Sequence, residues 1–151
     1  MLSFEPPPEA ESFATPGGTL FLWFPVSGIV AARARSFIDG SIAKAAYARI
    51  DQERQVPYVG FLDLSKSSGF DWDARMCAFR WNVRNLSPQM DLHLLITDRF
   101  VMATRVLAHL LGNRVEFHHE PGGFASAYTL AVKRKSRVSD STAPGKMPSA
   151  R

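Results

Sequence analysis

Blocks of apolar residues recur along the chain, and four of them have the length and composition of β-strands. The segment 19–28, TLFLWFPVSG, is rich in aromatic residues and follows the turn residues Pro16-Gly17-Gly18. The segment 56–65, VPYVGFLDLS, is almost continuously apolar, which is typical of a central strand covered on both faces. The shorter segments 90–98, MDLHLLITD, and 113–120, NRVEFHHE, predict two further strands.

Segments with helical periodicity separate and follow these strands. Apolar residues lie near one helical face in 28–54, in 71–86 and in 99–112, and the third of these closes on Gly112, where a left-handed C-cap belongs. A final segment, 124–135, carries its basic residues at the carboxyl end, where they complement the helix dipole. We therefore predict about four helices.

Strands and helices alternate, which predicts an α/β fold because right-handed crossovers between parallel strands need intervening helices. With a short edge strand at 2–5, we predict a mixed, mostly parallel sheet of four to five strands in a single domain. The domain is expected to span 18–132. It follows an edge strand and proline-rich loop at 1–17 and precedes a disordered basic tail at 133–151.

Positive charge is concentrated in this tail. The chain of 151 residues has a formal net charge of +4 and a sequence pI of about 9.6. Residues 133–151 hold six basic residues and one acidic residue, a net charge of +5, which leaves the rest of the chain at −1. We expect a solvated tail on a near-neutral domain, and weak contact of the tail with nucleic acid or another acidic surface is the alternative.

Other features of the sequence predict a cytoplasmic protein without a membrane span. No apolar run approaches the ~20 residues that a membrane helix needs, and the segment MLSFEPPPEAESFATPGG at the start is acidic and proline-rich, unlike a presequence. The one cysteine, Cys77, excludes an internal disulfide framework and a cysteine-built zinc site.

The segment 62–75, LDLSKSSGFDWDAR, is a candidate site because partners of α/β sheets tend to meet the carboxyl ends of strands. Ser68 and Asp71 have the spacing of a capping box, and Asp71 and Asp73 suit the positive end of the helix that follows. Helix capping alone would account for these residues. Trp72 is the exception if its side chain is exposed.

Catalytic and metal chemistry have less support. A small enzyme that uses Asp63, Asp71 or Asp73 for acid–base work or Mg²⁺ binding is an alternative, but carboxylates at a helix start are more often caps. Ser-Ser-Gly is neither a P-loop nor a dinucleotide motif. His118 and His119 should point to opposite faces of a strand, and the remaining two histidines, His93 and His109, stand alone on other elements. We expect structural histidines, no metal site and no cofactor.

The order of elements and the motif Asp63-Leu64-Ser65 resemble the STAS family, the sulfate-transporter and anti-sigma-factor-antagonist domain, over about residues 2–133. In that family a strand ending in Asp-Leu-Ser leads to Asp-Ser-Ser-Gly at the start of the second helix, and the serine after the aspartate accepts phosphate. Asp71 matches that aspartate. Trp72 stands at the phosphoacceptor position, and Asp73-Ala74 follow in place of serine and glycine. The resemblance implies a STAS-like fold in which the switch hydroxyl is missing.

The resemblance also implies a non-catalytic protein-interaction module, with regulation as one use, that docks a protein partner at 63–73. Trp72 would be an aromatic anchor inside a permanent acidic rim, and Ser67 and Ser68 are displaced candidates for phosphorylation. Arg99 and Met102 are added only because the family places the next helix, here 99–112, on the same side of the sheet. The expected partner-binding residues are Asp63, Ser65, Ser67, Ser68, Asp71, Trp72, Asp73, Arg99 and Met102.

A small-molecule or lipid-binding α/β domain is the alternative from a different class of protein. The apolar segments TLFLWFPV, 19–26, and VMATRVLAHLL, 101–111, could line a cavity for such a ligand.

Overall fold

The computed structural model of the protein describes residues 2–53, 58–85, 90–98 and 115–141. Within these residues the chain forms an α/β domain with six strands and three helices, so the predicted fold class is confirmed. The strands are β1 Glu11–Thr15, β2 Gly18–Trp23, β3 Ile29–Ile38, β4 Tyr58–Phe70, β5 Met90–Leu95 and β6 Val115–His118. The helices are α1 Gly40–Glu53, α2 Trp72–Asn85 and α3 Pro121–Ser141.

All six strands belong to one sheet, and their order in the sheet is their order in the chain. β1, β2 and β3 form an antiparallel meander, whereas β3, β4, β5 and β6 run parallel to one another. The sheet is therefore mixed and mostly parallel, as predicted. It has six strands instead of four or five because β1 and β3 lie in segments that we assigned to a loop and a helix.

The segment 28–54, predicted as one helix, is divided between β3 and α1. Successive residues of β3 are buried on both faces of the sheet: Ala32 and Ala34 pack in one core cluster, and Ile29 and Ala31 in the other. Alanine favours helices intrinsically, but here it gives both helical layers close access to the centre of the sheet. Tertiary packing overrides local propensity in this segment.

β4 continues beyond the predicted strand end at residue 65 and includes most of the predicted loop. Residues 66–70 pair with the second half of β3, and the register shifts twice along this pair of strands. The Ser67 hydroxyl donates to the carbonyl oxygen of Ser36 at 3.0 Å and accepts from the Gly69 N–H at 3.2 Å. Ser36 has φ 60°, so these side-chain hydrogen bonds stabilise an irregular part of the ladder.

The two faces of the sheet carry separate cores. α1 and α2 cover one face, where Ile42 and Trp81 belong to the buried cluster. α3 covers the other face with Phe124 and Tyr128. Phe4 joins this second core: its ring lies 4.6 Å from the Phe124 ring and 4.9 Å from the Tyr128 ring, between ring centroids.

The predicted edge strand at 2–5 is therefore wrong. Residues 2–10 form no strand, and Phe4 is buried among aromatic rings instead of pairing at a sheet edge. The edge position belongs to β1, which pairs with β2 through the two-residue turn Pro16-Gly17.

α3 runs from Pro121 to Ser141 and is longer than the predicted helix at 124–135. It includes residues 133–141, the first part of the segment predicted to be a disordered tail. Apart from this helical part, the domain boundaries stay predictions. The helix predicted at 99–112 lies outside the described residues. No helix in the described part of the chain is both long and apolar enough to cross a membrane.

Candidate functional site at two helix starts

The helices α1 and α2 begin beside each other at the carboxyl ends of β3 and β4. The two strands are parallel neighbours, so both helices leave the sheet at the same end. Their starts are in close contact: a β-carbon built on Gly40 would lie 2.6 Å from Cβ of Asp73. Glycine at position 40 is what permits this approach.

Asp71 caps both helices. Its Oδ1 accepts a hydrogen bond from the Ala74 N–H at 2.8 Å, and its Oδ2 accepts one from the Gly40 N–H at 3.3 Å. The free N–H groups of the two helix starts therefore share one carboxylate. The predicted capping box placed the cap at Ser68, and this is wrong because α2 begins one residue after Asp71 and Ser68 still belongs to β4.

Asp39 adds a second carboxylate at the start of α1. Its Oδ1 accepts hydrogen bonds from the Ser41 hydroxyl at 2.6 Å and from the Ile42 N–H at 3.0 Å. These two hydrogen bonds, with the Ser41 hydroxyl contributing most, lower the pKa of Asp39 from its ordinary value. With Asp71 and the exposed Asp73, the site carries carboxylates where the helix dipoles favour negative charge.

Asp63 belongs to the interior of the protein and not to this surface. Its carboxylate is buried and lies 3.0 Å from Nε of Arg33, and its second oxygen accepts from the Ser65 N–H and hydroxyl at 2.8 and 2.6 Å. Arg33 also binds Glu5 at 2.7 Å and the Phe4 carbonyl at 2.6 Å. Asp63 follows Phe61 by two positions along β4 and so shares the α3 face with it, which means that Asp63 faces away from α1 and α2.

The structure therefore separates the predicted partner-binding residues. Asp63 and Ser67 are buried, and Ser65 is bound to Asp63, so these three stabilise the sheet. Ser68 is exposed near the end of β4, while Asp71, Trp72 and Asp73 lie together at the start of α2. Arg99 and Met102 lie outside the described residues.

Trp72 is the most exposed of the large apolar side chains in the described residues, with 70% of its surface accessible. It heads a stripe along α2 that includes the half-buried Met76 and Phe79 and the exposed Val83. These positions follow the spacing i, i+4, i+7 and i+11, so they share one helical face. We call these four residues the α2 stripe.

The α2 stripe lies opposite the buried side of its helix. On that side Ala74 and Trp81 are buried, and the Trp81 indole N–H donates to Asp51 of α1 at 2.9 Å. Sequence analysis named none of the three residues that follow Trp72 in the stripe as partner-binding residues. Their helical spacing was a visible signal, but it could not show which of two apolar faces of α2 packs on the sheet.

A second group of polar residues lies at the other side of the sheet. The side chains of His93 on β5 and His118 on β6 approach within 3.0 Å, Nδ1 to Nε2, and Glu116 lies beside both. We call these three residues the histidine cluster. The prediction that His93 stands alone is wrong, because β5 and β6 pair in a register that aligns the residues. Burial lowers the pKa of His93, and the charge of Glu116 acts in the opposite direction.

The arrangement of strands and helices is that of a SpoIIAA-like, or STAS-like, α/β fold. A solved structure described as an uncharacterized protein of the DUF3478 family with a SpoIIAA-like fold, from Shewanella loihica, superposes on the chain with a TM-score of 0.53. The superposition covers 79% of this chain and 90% of that one, at 10% sequence identity. The fold predicted by the resemblance to the STAS family is thus confirmed. No protein-family model and no curated protein matches the chain.

Proposed function

We propose that the protein is a non-catalytic STAS-like interaction module that docks a protein partner on the start of α2. The observation that carries this proposal is the exposure of Trp72, 70%, at the N-terminus of a helix whose other side is buried. The regulatory role and the cytoplasmic location expected from the sequence stay predictions.

An exposed tryptophan is a strong anchor for a partner. A tryptophan side chain buries on the order of 200 Å² when it is enclosed, so covering the accessible part of Trp72 would contribute about 3 kcal/mol. Tryptophan is also among the residues that most often dominate binding energy at interfaces. Val83, 53% exposed, extends the same face along the helix, so a partner with an apolar groove fits the α2 stripe.

Charges beside the α2 stripe favour a partner with mixed charge at the edge of such a groove. Asp73 and Arg80 are exposed on one side of the stripe and Arg75 on the other. Exposed charges of this kind contribute more to the association rate and to specificity than to affinity. Because Arg75 and Arg80 flank the stripe further along α2, the acidic rim expected from the sequence is limited to the start of this helix.

The residue at position 72 supports docking that does not depend on phosphorylation. By resemblance, the STAS family carries a phosphoacceptor serine directly after the aspartate at the start of this helix, whereas Trp72 has no hydroxyl to accept a phosphate. Of the two displaced candidates for phosphorylation, Ser67 is buried and Ser68 is exposed. Phosphorylation at Ser68 is the regulated alternative.

The placement of the carboxylates gives less support to an enzyme. Asp63 and Asp71 are eight residues apart along β4 and its end, which is more than about 20 Å in an extended strand. Acid–base work by a pair of carboxylates requires them to approach the same reacting atoms.

The alternative of a cavity for a small molecule or lipid also has less support. Leu20, Leu22 and Trp23 belong to a segment that was expected to line such a cavity, but their side chains fill the two cores.

The proposal is tested by a crosslinked pull-down from native lysate that compares wild type with Trp72→Ala. Leu130→Ala is the matched control, because Leu130 is 48% exposed on α3 at the opposite face of the sheet. Loss of a specific partner with Trp72→Ala alone is the expected result. A chain ended at Ser141, which keeps α3, tests the tail: a partner lost only with that chain would contradict docking on α2 and favour the basic extension.

A further inference from the structure

Each of the three members of the histidine cluster places one possible metal-donor atom close to those of the other two. His93 Nδ1 lies 3.0 Å from His118 Nε2 and 3.3 Å from a carboxylate oxygen of Glu116, and His118 Nε2 lies 3.9 Å from the other oxygen. All of these donor atoms lie within 4.8 Å of one another. Imidazole nitrogens and a carboxylate oxygen are the donors that divalent transition metals prefer.

The register of the sheet brings these residues together. β5 and β6 are parallel, with His93 opposite Glu116 and Leu95 opposite His118. Residues in register on neighbouring strands share a face, and so do residues two positions apart on one strand. The cluster therefore rests on two hydrogen-bonded strands and not on a mobile loop.

Aromatic packing holds both imidazole rings. The His93 ring stacks on Phe61 with a centroid separation of 4.6 Å and an interplanar angle of 7°. The His118 ring meets the edge of Phe124 on α3, with centroids 5.6 Å apart. The imidazole side chains are 16% and 11% exposed and the Glu116 side chain 65%, so the donor set is partly enclosed and open to water on the glutamate side.

Two of the separations are close to those of a metal site. With metal–ligand distances near 2.0–2.1 Å, neighbouring donors of a tetrahedral site lie about 3.4 Å apart, and His93 Nδ1 lies 3.0 Å from His118 Nε2 and 3.3 Å from a Glu116 oxygen. We propose that His93, Glu116 and His118 form a binding site for a divalent transition metal ion of the zinc type, with one coordination position open to an external ligand. Mg²⁺ and Ca²⁺ do not suit the site because they prefer oxygen donors.

A metal-free network of hydrogen bonds is the competing explanation of the same contacts. One imidazole N–H could bridge the two rings while Glu116 accepts a hydrogen bond from a ring. Such a network leaves metal affinity no greater than that of scattered surface histidines. The two explanations therefore differ in whether Zn²⁺ binds and in which residues the binding depends on.

The test uses full-length, untagged protein freed of metal with a chelator. Zn²⁺ binding is measured by calorimetry and Co²⁺ binding by its visible absorption, which reports coordination number directly. Glu116→Gln removes the charged donor from an exposed position, and His93→Phe removes a nitrogen while preserving the stack on Phe61. His119→Gln is the matched control, since His119 is exposed beside the cluster and does not belong to it.

We expect one Zn²⁺ per chain and a Co²⁺ spectrum typical of four-coordinate geometry. Glu116→Gln and His93→Phe should each weaken binding by at least about 10-fold, the lower end of what loss of an outer-shell partner causes, while His119→Gln should bind as wild type does. Absence of stoichiometric binding in the wild type would overturn the proposal. So would full affinity in both cluster variants while their thermal unfolding shows that they are folded.

Discussion

Asp71 accepts a hydrogen bond from the backbone N–H of Gly40, a residue 31 positions earlier in the chain. The same carboxylate caps α2 through the Ala74 N–H. One side chain thus fixes the starts of two helices relative to each other, and the surface that displays Trp72 depends on it.

Replacing Asp71 with alanine should lower the free energy of unfolding by about 1–2 kcal/mol, because the Gly40 and Ala74 N–H groups both lose their acceptor. Asp71→Asn should lose less, since an amide oxygen can still accept from Ala74. Urea denaturation of the three proteins measures the difference. Equal stability of Asp71→Ala and wild type would show that water replaces the carboxylate without loss.

Gly40→Ala should destabilise the protein by about 1–3 kcal/mol, because the new methyl group would lie 2.6 Å from Cβ of Asp73. Gly122→Ala is the control, since a β-carbon at Gly122 meets no atom within 4 Å. In a double-mutant cycle, Asp73→Gly should relieve part of the cost of Gly40→Ala. Additive effects in that cycle would contradict the close approach of the two helices.

The ion pair between Arg33 and Asp63 should be costly to break, more so from the Arg33 side. Arg33→Met leaves a buried carboxylate without its cation and should cost about 3–5 kcal/mol, whereas Asp63→Leu should cost less because the Arg33 guanidinium keeps its ion pair with Glu5. Replacing both together should cost less than the sum. Chemical denaturation of all four proteins gives the coupling energy, and additive losses would argue against a direct pair.

Tyr47 should make stability fall with rising pH in alkaline solution. Burial, with a smaller effect of the Cys77 charge, raises the pKa of Tyr47 from 10.0 to about 12, and a hydrogen bond with Asn82 acts in the opposite direction. Between these values the unfolded chain is ionised at Tyr47 while the folded chain keeps its proton. The free energy of unfolding should therefore be lost as pH rises through this window, by up to about 1.4 kcal/mol per pH unit.

Tyr47→Phe isolates this effect, because Tyr128 also has a raised pKa and stays in the variant. Denaturation measured at several alkaline pH values should show a shallower loss of stability for Tyr47→Phe than for wild type. Parallel curves would mean that Tyr47 ionises as readily in the folded protein as in the unfolded one.

The sequence was sufficient for the fold class, and the reasons are local. The continuous apolar run of β4, the short apolar strand β5 and the helical spacing of apolar residues in α2 are each visible within a short segment of the sequence. β3 was not predicted, because the alanine and arginine residues at 31–35 fit a helix as well as a strand. Only their pairing with β2 and β4 shows that this segment is a strand. That information is long-range.

The candidate sites divide in the same way. Asp71 could be recognised as a carboxylate suited to the start of α2, but the prediction placed the cap at Ser68, and the bond of Asp71 to Gly40 depends on how two helices pack. The contact of His93 with His118 depends on the register in which β5 and β6 pair. No local sequence pattern around either histidine indicates that register. Asp63 and Trp72 lie in one short segment, yet only the alternation of side chains along β4 places Asp63 on the other face of the sheet.

The contact of residues 2–5 with α3 has a consequence for the order in which the protein can form on the ribosome. The Thr129 hydroxyl donates to the Leu2 carbonyl 127 positions away, and Phe4 lies against Phe124 and Tyr128. Residues 2–5 are therefore synthesised long before the helix on which they pack, and they stay unpacked until α3 has been made. Closure of the α3 face is thus a late step in the folding of this domain, and the form with residues 2–5 unpacked is the one that chaperones and proteases would meet.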